Sequence, residues 1–129
     1  MPNEVVVPAG AKPPSGPFAP ATLATGTRVL SISGQIADGS DGSIVGVGDA
    51  EEQARQCLRN LDALLLSAGA TRDDVVKIGV FLTDIADRAG VARARSEYFG
   101  DHRPASTLFE VSRLVLPELK VEIEATAIY

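Results

Sequence analysis

The stretch RPASTLFEVSRLVLPELKVEIEATAIY, residues 103–129, decides the fold. It holds two runs with strand character, residues 105–112 and 120–129, and a connection at Leu114, Val115, Leu116 and Pro117 that breaks the pattern. In the second run Val121, Ile123, Ala125 and Ala127 alternate with Lys120, Glu122, Glu124 and Thr126. That period of two marks a strand with one buried face, and it puts the carboxylates of Glu122 and Glu124 on the same side. In the first run Ser106, Leu108 and Glu110 share one side, and Thr107, Phe109 and Val111 the other. Pro117 has no amide proton to give to a ladder, so the connection falls there.

Upstream of this stretch, Asp101-His102-Arg103-Pro104 leads in from a helix predicted to run from an Asp87 cap to about Gly100. That helix carries Val91, Ala94, Arg95 and Tyr98 on one side. Residues 75–82 set Val76, Ile78, Val80 and Leu82 against Val75, Lys77, Gly79 and Phe81. Both sets are largely apolar, which predicts a central strand covered on both faces. Residues 49–68 give the clearest helix. Asp49 and Glu52 have capping-box spacing, Gly69 suits the C-terminal cap, and Ala54, Cys57, Leu58, Leu61, Leu64, Leu65 and Ala68 form one apolar stripe. Cys57 lies in that stripe, so it reads as a small buried hydrophobe rather than a nucleophile.

The glycine-rich segment 38–49 ends in Gly46-Val47-Gly48 before that helix. It does not read as a phosphate cradle, because no Lys-Ser/Thr follows and Asp49, Glu51 and Glu52 crowd the helix start. A hairpin loop around Asp41-Gly42 is the better reading. Residues 28–32 are a further strand, and residues 4–7 an edge strand closed by Pro8. Residues 9–21, with Pro13, Pro14, Pro17 and Pro20, are extended or turning. They are a surface connection or a loop lining a pocket.

The element order is three strands and a helix, then strand, helix, strand, strand. It implies an α+β fold, a single mixed β-sheet with two helices packed on one face. The other face, with no helix left to cover it, points to self-association. The 129 residues fit one domain, with 45% hydrophobic and 22% charged residues. A net charge of −5 argues against sequence-independent nucleic-acid binding. One His and one Cys permit neither an internal disulfide nor an all-protein zinc cluster. No metal and no cofactor are expected. The first residues lack a signal-peptide pattern, and no apolar run reaches the roughly 20 residues of a membrane span. A cytoplasmic protein is expected.

Several blocks together resemble the RidA family, also called the YjgF or UK114 family. They are Ser15-Gly16-Pro17-Phe18, Ser33-Gly34-Gln35, Pro104-Ala105-Ser106-Thr107, Glu110-Val111-Ser112-Arg113-Leu114 and Val121-Glu122-Ile123-Glu124-Ala125-Thr126-Ala127. The resemblance implies one RidA-like domain over residues 1–129, a chorismate-mutase-like fold, and a homotrimer with ligand clefts between subunits. Family members that hydrolyse reactive enamines and imines bind the substrate carboxylate with the arginine of a P-A-R-[ST] motif. A bidentate guanidinium suits a planar carboxylate, and serine is no equal replacement. Here Ser106 stands in that place. Phe18 replaces the tyrosine of the family's G-P-Y motif. Ala92 replaces the asparagine that follows the valine of the second helix.

By the same resemblance Glu122 helps to place the attacking water and Ser33 is the S-G-Q serine, so these two are the expected catalytic residues. Phe18, Ser106, Ala105 and Gly34 are the expected substrate-binding positions. Arg103, Arg93 or Arg113 are candidates for a replacement cation, and each otherwise reads as a solvated surface arginine. His102 is a candidate general base, and Ser106 a nucleophile if Glu122 lies beside it. Three functions follow: an imine or enamine hydrolase of the deaminase type with altered substrate, a non-catalytic small-metabolite-binding or regulatory trimer, and a nucleic-acid-acting protein. The acidic charge balance makes the last the weakest.

Overall fold

The computed structural model describes residues 3–10 and 18–129. The alternation in the last run becomes a strand, β6 (Val121–Ile128), whose odd-numbered residues are buried. It lies inside a four-stranded sheet of order β3-β6-β4-β5, with β3 (Val29–Gln35), β4 (Val75–Leu82) and β5 (Ala105–Glu110). β6 pairs antiparallel with β3 and with β4, whereas β4 and β5 are parallel. Parallel neighbours need a crossover, and α2 (Arg88–Phe99) supplies it. The first helix, α1 (Ala50–Ser67), presents Ala54, Cys57, Leu58, Leu61 and Leu65 to one core. Val91, Ala94 and Phe99 of α2 join the same core, together with Ile78, Val80 and Leu82 of β4 and the buried residues of β6. The mixed sheet with two helices is therefore as the alternation and the helical stripes foretell.

Local signals set the helix ends. Asp49 Oδ1 accepts the amide proton of Glu52 at 3.1 Å, which satisfies one of the orphan donors of a first turn. The Glu52 carboxylate turns away to Arg59 at 3.1 Å. Gly69, just past the helix, adopts φ +80°, a left-handed conformation that glycine takes without a Cβ clash. The loop at Asp41-Gly42 is a tight hairpin: Asp38 bridges Ile44, and Gly42 sits at φ +84°.

Two N-terminal strands form a ladder of their own. β1 (Asn3–Val6) pairs antiparallel with β2 (Ala21–Ala24). Sequence reading put the first near residues 4–7 and missed the second, because ATLA exposes Leu23 and half-buries Thr22. The β4/β6 register slips between Val75 and Lys77, and side chains collect the carbonyls around the slip. Asn3 Nδ2 donates to Val75 O at 3.2 Å and Thr22 Oγ1 to Val76 O at 2.8 Å, which ties the small ladder to the main sheet.

No helix of the described residues is long and apolar enough to cross a membrane.

Candidate functional site

Ser106 and Glu122 belong to different faces of the sheet, and register decides which. In the parallel ladder Ser106 lies opposite Ile78, whose side chain is in the core. Paired residues in a ladder share a face, so Ser106 turns toward the helices. There Arg95 of α2 meets it: Arg95 Nη1 donates to Ser106 Oγ at 2.9 Å. Arg95 is only 7% exposed. Burial, and secondarily the like charge of Arg103, pushes its guanidinium down to about 10, which leaves it cationic at neutral pH.

A cavity of about 620 Å³ opens around this pair. Phe18, Val80, Val91 and Leu108 give it apolar walls, and Arg88, Ala92, Arg95, Ser106 and Thr107 also line it. Phe18, Ala92 and Ser106, the three positions read from the sequence as departures, therefore meet in one cavity. Phe18 is held there by its neighbour. Ala19 forms a parallel bridge with Ala105, and its amide donates to Pro104 O at 3.2 Å. Ala105 itself pairs with Lys77 on the other side of the ladder and does not line the cavity. Ser15, Gly16 and Pro17, the rest of that motif, lie outside the described residues.

Glu122 pairs with Phe81 and so faces away from the helices. It lies over Gly34. A Cβ built on Gly34 would fall within the Glu122 carboxylate, with Glu122 Cγ 2.9 Å away. The S-G-Q segment is thus glycine at this point because the carboxylate needs the space. Gly34 occupies the irregularity where the β3/β6 register shifts between Ile32 and Gln35. Ser33 sits in the same irregularity, exposed, beside a shallow groove that Leu64 and Ser67 also line. The expected site residues therefore fall into two groups. Gly34 and Glu122 meet at the β3/β6 end of the open face, with Ser33 next to them in the chain and beside the α1 groove, while Phe18 and Ser106 gather under α2. Glu122 and Ser106 are not cross-strand neighbours, which removes Glu122 of the same chain as a base for a Ser106 nucleophile.

The arginine that meets Ser106 is Arg95, which sequence reading placed on the buried side of its helix without a role. Arg93 pairs instead with Glu51 at 2.7 Å. Neither Arg103 nor Arg113 lines the cavity. The signal was the position itself: an arginine on the buried side of a helix, between Val91 and Tyr98, needs a polar partner inside. His102 serves the fold rather than the cavity. Its Nε2 lies 2.7 Å from Val75 O, and a carbonyl only accepts, so that nitrogen is the protonated one. Cys57 is fully buried, and desolvation, with Glu122 and Asp38 adding to it, pushes its thiol up to about 12. Among the described residues no cluster of three or more His, Cys, Asp or Glu could hold a metal ion.

Residues 9–129 match the family model described as Endoribonuclease L-PSP. A RutC family protein of Pyrococcus horikoshii is 42% identical over 126 residues, 97% of this chain and 97% of its own. The 3-aminoacrylate deaminase RutC of Acinetobacter baylyi is 35% identical over 127 residues, 98% of each chain. Among solved structures, the Rid-family protein YyfB of Yersinia pestis, of unknown function, superposes with a TM-score of 0.90 at 36% identity over 100% of both chains.

Proposed function

Since this chain belongs to the Rid family, which also carries the names YjgF, YER057c and UK114, we propose that it hydrolyses reactive imine or enamine metabolites, with a substrate range altered at Ser106. The observation that carries this reading is the convergence of Phe18, Ala92 and Ser106 on one cavity with the buried Arg95. A relative 35% identical to it is a 3-aminoacrylate deaminase, which supports the reaction class. The reaction adds water across C=N: oxygen bonds to carbon, the nitrogen takes up protons, and ammonia leaves as the carbonyl forms. Glu122 takes a proton from the water in this scheme, while Ser33 and the Gly34 backbone help to orient it.

Within one protomer Glu122 and the Ser106 cavity lie on opposite faces of the sheet. The reading therefore includes a homotrimer in which one subunit brings Ser33, Gly34 and Glu122 to the cavity of the next. Exposed apolar residues on the protomer, Val29 at 68% and Phe109 at 46%, are consistent with cover by a neighbour.

The test is ammonia release from imines generated in situ by an amino-acid oxidase, across small, branched, aromatic and basic amino acids. Acceleration is expected for at least one class, and weak or no acceleration for 2-aminoacrylate. Glu122→Gln should abolish turnover and leave ligand binding in place. A rate on 2-aminoacrylate equal to that of arginine-bearing relatives would show that Ser106 does not alter the range. The separation of Glu122 from the cavity also favours a second reading, a trimer that binds a small metabolite without turning it over. No acceleration for any class would select it.

A further inference from the structure

We infer that Glu51 is a positioning residue for this cavity: from α1 it pins the first half of α2, the wall that Arg88, Ala89, Val91 and Ala92 contribute, and so sets how tightly the cavity holds its ligand. The inference rests on the reading of this cavity as the substrate cleft, and it names the side chain that keeps one wall in place.

The first half of α2 is poorly fastened by its own residues. Asp87 stands at the N-cap and makes no capping hydrogen bond, and its Oδ2 is buried without a hydrogen-bond partner. The first-turn amides therefore lack the side-chain acceptor that a capped helix has. No acidic residue lies in that turn, and Arg88 puts a cation at the positive end of the helix. Gly90 follows, the weakest helix former short of proline. Of residues 88–93 only Val91 is buried. The second half sinks Ala94, Arg95 and Phe99. A helix built this way opens from its start.

Glu51 supplies the missing hold. Its Oε1 accepts from Arg93 Nη2 at 2.7 Å and from Arg93 Nε at 3.1 Å, and its Oε2 accepts from Arg55 Nη2. Arg55 in turn reaches α2 further along, donating from Nε and Nη2 to the Glu97 carboxylate at 3.1 and 3.3 Å. Gly90 lets the helices come this close. A Cβ there would sit 3.2 Å from Glu51 Cβ and 3.3 Å from Glu51 Oε1. The residue that weakens α2 is thus the one that lets the carboxylate lie against it. The Arg93 bond first, and the Arg55 bond after it, holds the Glu51 carboxyl below its ordinary range, so the latch is charged at neutral pH. The Arg93 side chain is 66% exposed, which leaves the pair open to screening by salt.

The two sides of this half-helix have different neighbours. Gly90 and Arg93 meet α1, while Ala89 and Ala92 line the cavity. Alanine reaches only a short way, so an outward movement of the backbone widens the cavity directly. A ligand that had to order a loose wall would bind less tightly. With Glu51 in place that ordering precedes binding.

The experiment is residue-resolved hydrogen exchange on the full chain, wild type against Glu51→Gln, together with the imine assay. Helix geometry pairs amides 92–95 with the carbonyls of residues 88–91, so these four report the first half of α2. Glu51→Gln should speed their exchange about 5-fold, the upper range for an exposed ion pair, and leave amides 96–99 as they are. Roughly 0.5 M NaCl should do the same to the wild type and add nothing to the variant. Glu52→Gln removes a charge from the same turn of α1, where Glu52 pairs with Arg55 and Arg59 of its own helix, and should leave α2 exchange unchanged. On the imine class that is turned over, Glu51→Gln should raise KM about 5-fold at constant kcat. Unaltered exchange at 92–95, acceleration spread evenly along α2, an equal response to Glu52→Gln, or an unchanged KM overturns the inference. If no imine is turned over, the hydrolase fails and exchange alone decides the latch. Turnover with unaltered exchange in Glu51→Gln sinks the latch and keeps the hydrolase.

Discussion

The two faces of the four-stranded sheet are built from the same strands and solve different problems. The helix-covered face carries Ile78, Val80, Leu82, Val121, Ile123, Ala125 and Ala127, and closes over them with α1 and α2. The buried cation on this side, Arg95, is met by a hydroxyl. The open face carries Lys77, Phe81, Phe109, Glu122 and Glu124. Phe81 and Phe109 stack there at 5.4 Å between ring centroids, and glycines make room for the two carboxylates, Gly34 beneath Glu122 and Gly79 beneath Glu124. The first face has its apolar residues covered by this chain's own helices. The second mixes charge, aromatic surface and missing side chains, a composition that packing alone does not explain and that chemistry or a neighbouring copy would.

Substitutions on either face can break that contrast. The largest expected effect belongs to Cys57, on the closed side. A thiol held at about 12 against an ordinary 9.0 is roughly a thousandfold less ionised at pH 8, and only the thiolate reacts. Ionisation of this group is lost, not gained, on folding. Native protein should therefore resist iodoacetamide that labels it at once in guanidinium, followed by mass spectrometry. Rapid native labelling would mean that the closed face opens readily. Leu61→Ala, fully buried in the same face, should cost about 3 kcal/mol of unfolding free energy by denaturant titration. That cost should be the same at every protein concentration.

Gly34→Ala probes the open face. It should cost about 2 kcal/mol as the Glu122 carboxylate is displaced, and adding Glu122→Ala should restore most of it. A double-mutant cycle with no coupling would separate the two residues. Phe109→Ala gives the smallest effect, about 1 kcal/mol from the lost ring stacking with Phe81. Its signature is instead a melting temperature that falls on dilution, if copies cover this face as proposed. Independence from concentration would return the open face to solvent.

The closed face was legible in the sequence because its signal is periodic. The odd-numbered residues of β6, the stripe of α1 and the doubly apolar β4 all state their burial directly. Residues 105–110 were legible as a strand and illegible as to face. Ser106, Leu108 and Glu110 look the more polar set, yet pairing with Ile78, Val80 and Leu82 turns them toward the helices. Alternation tells which residues stand together, and only register tells what they stand against. The site was split for the same reason: Glu122 and Ser106 each had a parity, and nothing in the string related the two. Arg95 went unread because arginine on an apolar helix side looks like a border residue whose stem is buried and whose charge escapes to water. β2 was missed because its ladder partner is a short exposed strand and its own burial runs against its hydropathy.

Gln53 offers a clock for this architecture. It is wholly buried in α1, donates to Gly46 O at 3.1 Å and Glu118 O at 2.9 Å, and accepts the amide proton of Lys120 at 2.8 Å. One side chain thus fastens the approach to α1 and the entry to β6, which lie 65 residues or more apart from it in the case of Glu118 and Lys120. The Lys120 amide can trade its proton for deuterium only when the helix lifts away. Its exchange rate therefore times the undocking of α1, and the loop before β6 cannot breathe on its own schedule.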